Sequence, residues 1–202
     1  MARRSDHTRE ELKELIIQST WDIVADQGIK GLSARKIADS IGYAPGTIYN
    51  IFTSMDDLIV HLNTKTLNVL YDQIEPALTQ SDNQSPEDII LKISEIYMQF
   101  ARDYAPYWSL IFEHKFEEGY KPESWYQEKI DGLFSTVEQV LQPYFKEGGA
   151  TKRQMAARIL WSSLHGLCAL YQSGKIDFIE SSEASEQDMR EYLIKSLIKG
   201  IS

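Results

Sequence analysis

Three groups of residues have types and spacings suited to chemistry. Between positions 43 and 50, Tyr43, Ala44, Gly46 and Thr47 are small or hydroxylated, and Tyr49 follows with a second phenol. Such residues let a backbone come close to an anion and offer N–H and O–H donors to phosphate oxygens. His165 and Cys168 stand three residues apart, which on a helix sets an imidazole near a thiol, the parts of a nucleophile and its base. No third orienting group or oxyanion site accompanies them, so a buried, unreactive thiol is expected and no enzyme activity is predicted. Glu113, His114, Glu117 and Glu118 contain one i, i+4 pair, His114 with Glu118, at metal-ligand spacing. Two ligands are too few, so the expectation is a solvated helix face with neither metal nor cofactor.

The elements that position these groups are helical. Apolar residues recur at three- and four-residue intervals along the whole chain and strand signals are weak, which predicts an all-α fold. Thr8 and Glu11 form a capping box before a helix over 8–27, with Leu12, Leu15, Ile16, Ser19 and Ile23 as its stripe and Gly28 as its stop. Ser33 caps a short helix to Ser40, Gly42 supplies a turn with positive φ, and Pro45 opens a third helix to Asn50. Ser54 with Asp57 starts a long helix toward Thr79. Further helices are predicted at 86–104, 105–117, 122–145, 151–173 and 186–200, about nine in all, with Thr151 and Gln154 capping the eighth and Ser185 and Asp188 the ninth. Two short helices joined by a glycine turn and braced by a preceding helix form a helix-turn-helix, whose second helix enters a DNA major groove. Ile48 and Ile51 then face helices 1 and 2, Phe52 enters the core, and Tyr49 reaches outward to a phosphate.

The stretch Leu32–Leu58, "LSARKIADSIGYAPGTIYNIFTSMDDL", resembles the DNA-binding segment of the tetracycline-repressor (TetR) family of bacterial transcription regulators. Ile-Ala, a turn glycine, a Gly-Thr pair, Tyr and Phe recur in that family at these offsets. The resemblance spans roughly residues 8–60 and implies a three-helix DNA-binding head at 1–54 and a ligand-binding, dimerising body at 55–202. Carried over by position, it implies phosphate contacts from Ser33, Tyr43, Thr47 and Tyr49. It also implies that Arg35 reaches a base edge or a phosphate, and that Ala44, Pro45, Gly46 and Asn50 lie closest to the bases. Of these, Arg35 has the donor pair for guanine and Asn50 the donor and acceptor for adenine. Met55 is a departure: the family commonly has Lys there, which removes one phosphate contact, with Arg3, Arg4 and Lys36 as the cations left to compensate.

In the body, 10 of the 22 aromatic residues fall between Tyr97 and Tyr126. Aromatic residues at helical spacing are core by default. The family likeness adds a ligand pocket here, implying effector contacts from Tyr97, Phe100, Tyr104, Trp108, Phe112 and Trp125 with Trp161 and His165. The string "WSSLHGL" resembles the Trp-His-Gly (WHG) signature of one subgroup. Apolar stripes on the last two helices, Ile159, Leu160, Leu164, Leu167 and Leu170 with Met189, Leu193, Leu197 and Ile201, would by the same likeness form a homodimer interface.

The net charge of −9 over 202 residues, taken alone, disfavours nucleic-acid binding, yet residues 1–60 carry 7 Lys and Arg against 9 Asp and Glu, so most of the acidity lies in the body. Arg3, Arg4 and Arg9 suit an arm lying along a phosphate backbone. With one cysteine there is no intramolecular disulfide, and without a signal segment or an apolar run of ~18 residues a cytoplasmic protein is expected. The reading is a homodimeric repressor on a palindromic double-stranded operator, released by a small, partly apolar effector. Its rival is a small-molecule-binding adaptor with a degenerate head, motivated by Met55 and the acidic balance.

Overall fold

The computed structural model describes residues 7–79, 84–146, 149–178 and 185–201. Among them are nine α-helices and no strand: α1 Arg9–Gln27, α2 Ala34–Ile41, α3 Gly46–Ile51, α4 Met55–Thr79, α5 Pro86–Asp103, α6 Ala105–Glu113, α7 Ser124–Leu141, α8 Ala150–Gln172 and α9 Glu186–Ile201. Helix ends agree with expectation except where α6 and α7 stop short. The last predicted residues of α7 form a 3₁₀ turn at Gln142–Tyr144, where Pro143 removes an N–H donor. No helix among the described residues is long and apolar enough to cross a membrane.

The chain forms two compact units, one of residues up to Asn68 with Tyr104–Tyr126, the other of Val69–Asp103 with the residues from Gln127 onward. The apolar contacts show what holds the first unit together. In the first unit Ile16, Val24, Ile37, Ala38, Ile48 and Phe52 of the first three helices share one cluster with Leu58 and Leu62 of α4 and Leu110 of α6. Each of these residues is almost wholly buried. Tyr107 of α6 stacks on Trp21 at 3.8 Å between ring centroids and donates its hydroxyl to the Trp21 carbonyl at 2.9 Å. Burial, reinforced by Asp22, pushes the Tyr107 hydroxyl up to about 12, so it remains a donor at neutral pH.

One carboxylate ends α6 early. Asp56 lies in the first turn of α4, is 4% exposed, and pairs with His114 Nε2 at 2.7 Å while accepting the Glu117 N–H at 2.8 Å. His114 takes extended backbone angles as the residue after the helix. Glu113, His114, Glu117 and Glu118 therefore do not share a helix face as expected, because the chain leaves the helical path to satisfy a buried charge. The His114 and Glu118 spacing loses its meaning with it.

In the second unit α5, α8 and α9 pack together around Ile90, Ala157, Leu160, Ile194 and Ile198. Arg190 is buried and donates to the Leu91 carbonyl at 2.8 Å and to Ser94 Oγ at 2.9 Å, joining α9 to α5. The inward stripe of α9 is thus Arg190, Ile194 and Ile198, one residue round from the Met189 and Leu193 stripe expected at a dimer interface. Thr151 and Gln154 do not cap α8: the helix begins at Ala150 behind Gly149, which provides no side-chain cap. The other predicted caps are present. Thr8 and Glu11 bond reciprocally, and Ser185 and Asp188 do the same.

Phe52→Ala should destabilise the first unit by about 3–5 kcal/mol, the usual range for emptying a buried phenyl site. Urea unfolding followed by tryptophan fluorescence would register this as a lower midpoint at unchanged slope.

Candidate nucleic-acid interface

The surface formed by α2, the following turn and α3 is built from local signals. The Ser33 hydroxyl accepts the Lys36 N–H at 3.2 Å and starts α2. Gly42 adopts φ 74°, the left-handed conformation that closes the helix at low cost only for glycine, and its N–H returns to the Ala38 and Asp39 carbonyls. Pro45, with φ −55°, then leads into the six residues of α3.

Ser33, Arg35, Ala44, Pro45, Gly46, Tyr49 and Asn50 are exposed, and Tyr43 and Thr47 are half-buried. All nine predicted DNA contacts therefore lie on α2, the turn and α3 of the first unit. Ile48 is fully buried and Ile51 packs partly against the core, so α3 has one inward apolar side and one outward polar side. A Cβ added at Gly46 would meet no atom within 4 Å, so its smallness serves nothing inside the fold. Arg35 is 85% exposed and lies 3.8 Å from Asp39, a surface pair too weak to withhold the guanidinium from a phosphate or base.

His7, missed by sequence reasoning, and Arg9, given another place by it, belong to this surface. Arg9, expected in a basic arm, is the first residue of α1, and its Nη1 donates to the Asn50 carbonyl at 3.0 Å with Nη2 at 3.5 Å from the Ile51 carbonyl. His7 Nδ1 lies 2.7 Å from the Tyr43 hydroxyl. No sequence signal pointed to this contact: most helices here, like α3, lack a basic residue in the last turn. Arg3 and Arg4 lie outside the described residues. Lys36, the other compensating cation, donates to Gln27 Oε1 at 2.6 Å.

The predicted effector residues divide between the units. Tyr104, Trp108, Phe112 and Trp125 belong to the first, Tyr97, Phe100, Trp161 and His165 to the second. In the first, Trp108 and Phe112 meet edge to face at 5.1 Å, and Tyr104 meets the edge of Trp21 at 6.4 Å. Trp125 stacks on His61 at 4.8 Å, and burial, with Lys13 nearby, lowers the His61 pKa. In the second, the Tyr97 hydroxyl lies 3.0 Å from His165 Nδ1, Trp161 lies 5.3 Å from the His165 ring, and Phe100 is fully in the core. Burial lowers the His165 pKa as well. Cys168 is 3% exposed, and burial pushes its thiol up to about 12, which removes the nucleophile from the enzyme reading.

Among the described residues, α2 and α3 form a glycine-turned helix pair with polar residues outward and aliphatic residues inward, the arrangement of a helix-turn-helix. Residues 16–62 match the family described as bacterial regulatory proteins, tetR family, and residues 90–193 match the tetracyclin repressor-like C-terminal domain. The chain belongs to the TetR family of DNA-binding transcription regulators and is not an enzyme. A curated relative, the HTH-type transcriptional regulator PksA of Bacillus subtilis (strain 168), is 32% identical over 59 residues, 29% of this chain and only 28% of PksA. Among solved structures, a protein of unknown function from Rhodococcus sp. RHA1 aligns with a TM-score of 0.74 at 16% identity, over 98% of each chain. The transcriptional regulator FadR from Bacillus subtilis, in complex with stearoyl-CoA, aligns with a TM-score of 0.66 at 14% identity, over 94% of this chain and 99% of FadR. These structural likenesses support the fold.

Two outcomes follow from the ionisable groups. Cys168 should resist a disulfide reagent in the native protein at about pH 8 and react at once in denaturant, as a thiol titration would read. His61 and His165 are held below the ordinary 6.5, so on acidification the unfolded chain takes up protons before the folded one does. Stability is therefore full above that value and is lost as pH falls through the lower folded values. The urea midpoint should drop as pH falls below about 6.5, and less steeply in His61→Gln and His165→Gln.

Proposed function

We propose that the protein is a homodimeric, ligand-responsive repressor that reads a palindromic operator with α3 of each protomer and is released by a small, partly apolar effector. The observation that carries this reading is the polar, exposed side of α2 and α3, with Arg35, Tyr49 and Asn50 outward and Ile48 wholly buried behind them. Arg35 makes a bidentate contact to guanine or a contact to phosphate, Asn50 reads adenine, and Ser33, Tyr43, Thr47 and Tyr49 hold the backbone. Ala44, Pro45 and Gly46 present little bulk and bring the main chain close to the bases.

Dimerisation through α8 and α9 is supported by a groove of about 700 Å³ lined by Gly166, Leu167, Leu170, Met189, Tyr192 and Leu193. Tyr192 is 78% exposed, and Met155 and Ile159 of α8 are about half exposed, an apolar surface suited to an isologous contact. Two recognition helices would then stand about 34 Å apart, one duplex turn.

For the effector, the Tyr97 and His165 pair beside Trp161 supplies a hydrogen-bonding group, neutral at physiological pH, among aromatic faces. The string carrying Trp161, His165 and Gly166 supports placing the body in the WHG subgroup. The stearoyl-CoA held by FadR is a precedent for a ligand with a long apolar part on this fold. Release requires that the effector bind the two states with different affinity, and α4, which contributes residues to both units, is the element through which that difference reaches the head.

Selection from a random duplex pool at low and moderate salt tests the reading: an enriched palindrome with a steep salt dependence is expected, and failure to enrich any sequence in either condition would overturn it. Arg35→Ala should weaken binding to the selected site by about 1–3 kcal/mol if it reads guanine. Ile159→Asp with Tyr192→Asp should convert the dimer to a monomer in light scattering.

A further inference from the structure

α3 is too short to hold its own shape and has no basic residue in its last turn. The last carbonyls of any helix lack partners within it and carry the negative end of its dipole. In this protein the cation that meets them comes from α1. Arg9 donates to the Asn50 carbonyl at 3.0 Å and approaches the Ile51 carbonyl. One turn further along α1, Lys13 Nζ lies 5.9 Å from the centre of the ring of Phe52, the residue that closes α3. At the other end His7 meets the hydroxyl of Tyr43, which precedes Pro45 and α3. The segment that opens α1 thus holds the turn before α3 with one residue and its C-terminal end with another.

We propose that Arg9 is a specificity-determining positioning residue: it fixes the angle and end point of α3, and through the Asn50 backbone sets where the Asn50 amide meets a base. Its guanidinium donates to the carbonyls at the end of α3, so the proposed contribution is to discrimination between sequences rather than to general attraction for the phosphates. The two kinds of contribution are separable, because a lost phosphate contact weakens all sequences alike and lowers the salt slope by about 1, whereas a misplaced reader lowers preference at one position. This inference rests on the reading of α3 as the recognition helix.

The test measures binding of the full-length protein to its selected operator and to single-base variants of that operator, each over a range of salt. Arg9→Met and Arg9→Gln are compared with Arg9→Lys, which restores the cation, and with Asn50→Ala. Thermal melting of each variant accompanies the binding. The Arg9→Met and Arg9→Gln variants should lose about tenfold in preference, comparable to one mismatched base pair, at the position where Asn50→Ala also loses it. Their salt slope should be unchanged and Arg9→Lys should recover most of the preference. A uniform loss across all duplexes with a slope lower by about 1 would overturn the proposal and make Arg9 a phosphate contact, and unaltered preference would overturn it equally. If Asn50→Ala changes no preference anywhere, the reading of α3 has failed; if Asn50→Ala changes preference and the Arg9 variants do not, only the present inference has.

Discussion

The burial of Ile48 and Phe52 in one apolar cluster is the constraint on which the rest of the first unit depends. A helix of six residues has paid the cost of nucleation and gained almost no hydrogen bonds in return, so in water it would not persist alone. What holds it is the shared core of α1, α2, the first half of α4 and α6. The same requirement explains why the compact unit extends beyond the first three helices. Leu58, Leu62 and Leu110 complete an apolar core that α1, α2 and α3 do not close by themselves.

Polar contacts then orient what the apolar cluster holds. Asp56 is buried at the start of α4 and tied to His114 and to the Glu117 N–H, so the chain after α6 is fastened to the same carboxylate that complements the α4 dipole. Arg9 does the opposite service at the end of α3, bringing positive charge to exposed carbonyls. In the second unit the buried Arg190 bridges α9 to a backbone carbonyl and a serine hydroxyl of α5. At Asp56 and Arg190 a group that would be costly to bury alone is matched by hydrogen bonds across elements distant in sequence, while the Arg9 bonds lie at the surface.

The acidic balance is compatible with a DNA-binding head. Net charge describes the field of the whole molecule, whereas operator affinity depends on a few cations and N–H groups placed against phosphates. Most of the excess of carboxylates lies after residue 60, and Arg35 stands exposed on α2.

Capping pairs, a turn glycine and helical periodicity are local, so the sequence by itself determined the helix order, the helix-turn-helix and the inward placement of Ile48 and Phe52: the physics of each lies within a few neighbouring residues. It also carried enough of the α2 and α3 pattern to identify the family. Tertiary structure alone decided that α6 stops at Glu113 beside Asp56, that α9 turns Arg190, Ile194 and Ile198 inward, and that Arg9 reaches the end of α3. Periodicity fixes that a helix has an apolar face but tolerates a rotation of one residue, and the partner across the gap settles which stripe wins. The aromatic residues between Tyr97 and Tyr126 illustrate the same limit: their clustering in sequence was plain, but their division between two compact units depends on contacts no local pattern encodes. A buried carboxylate or an uncapped carbonyl end recruits its partner from wherever the fold brings one, and that choice is made by distance in space.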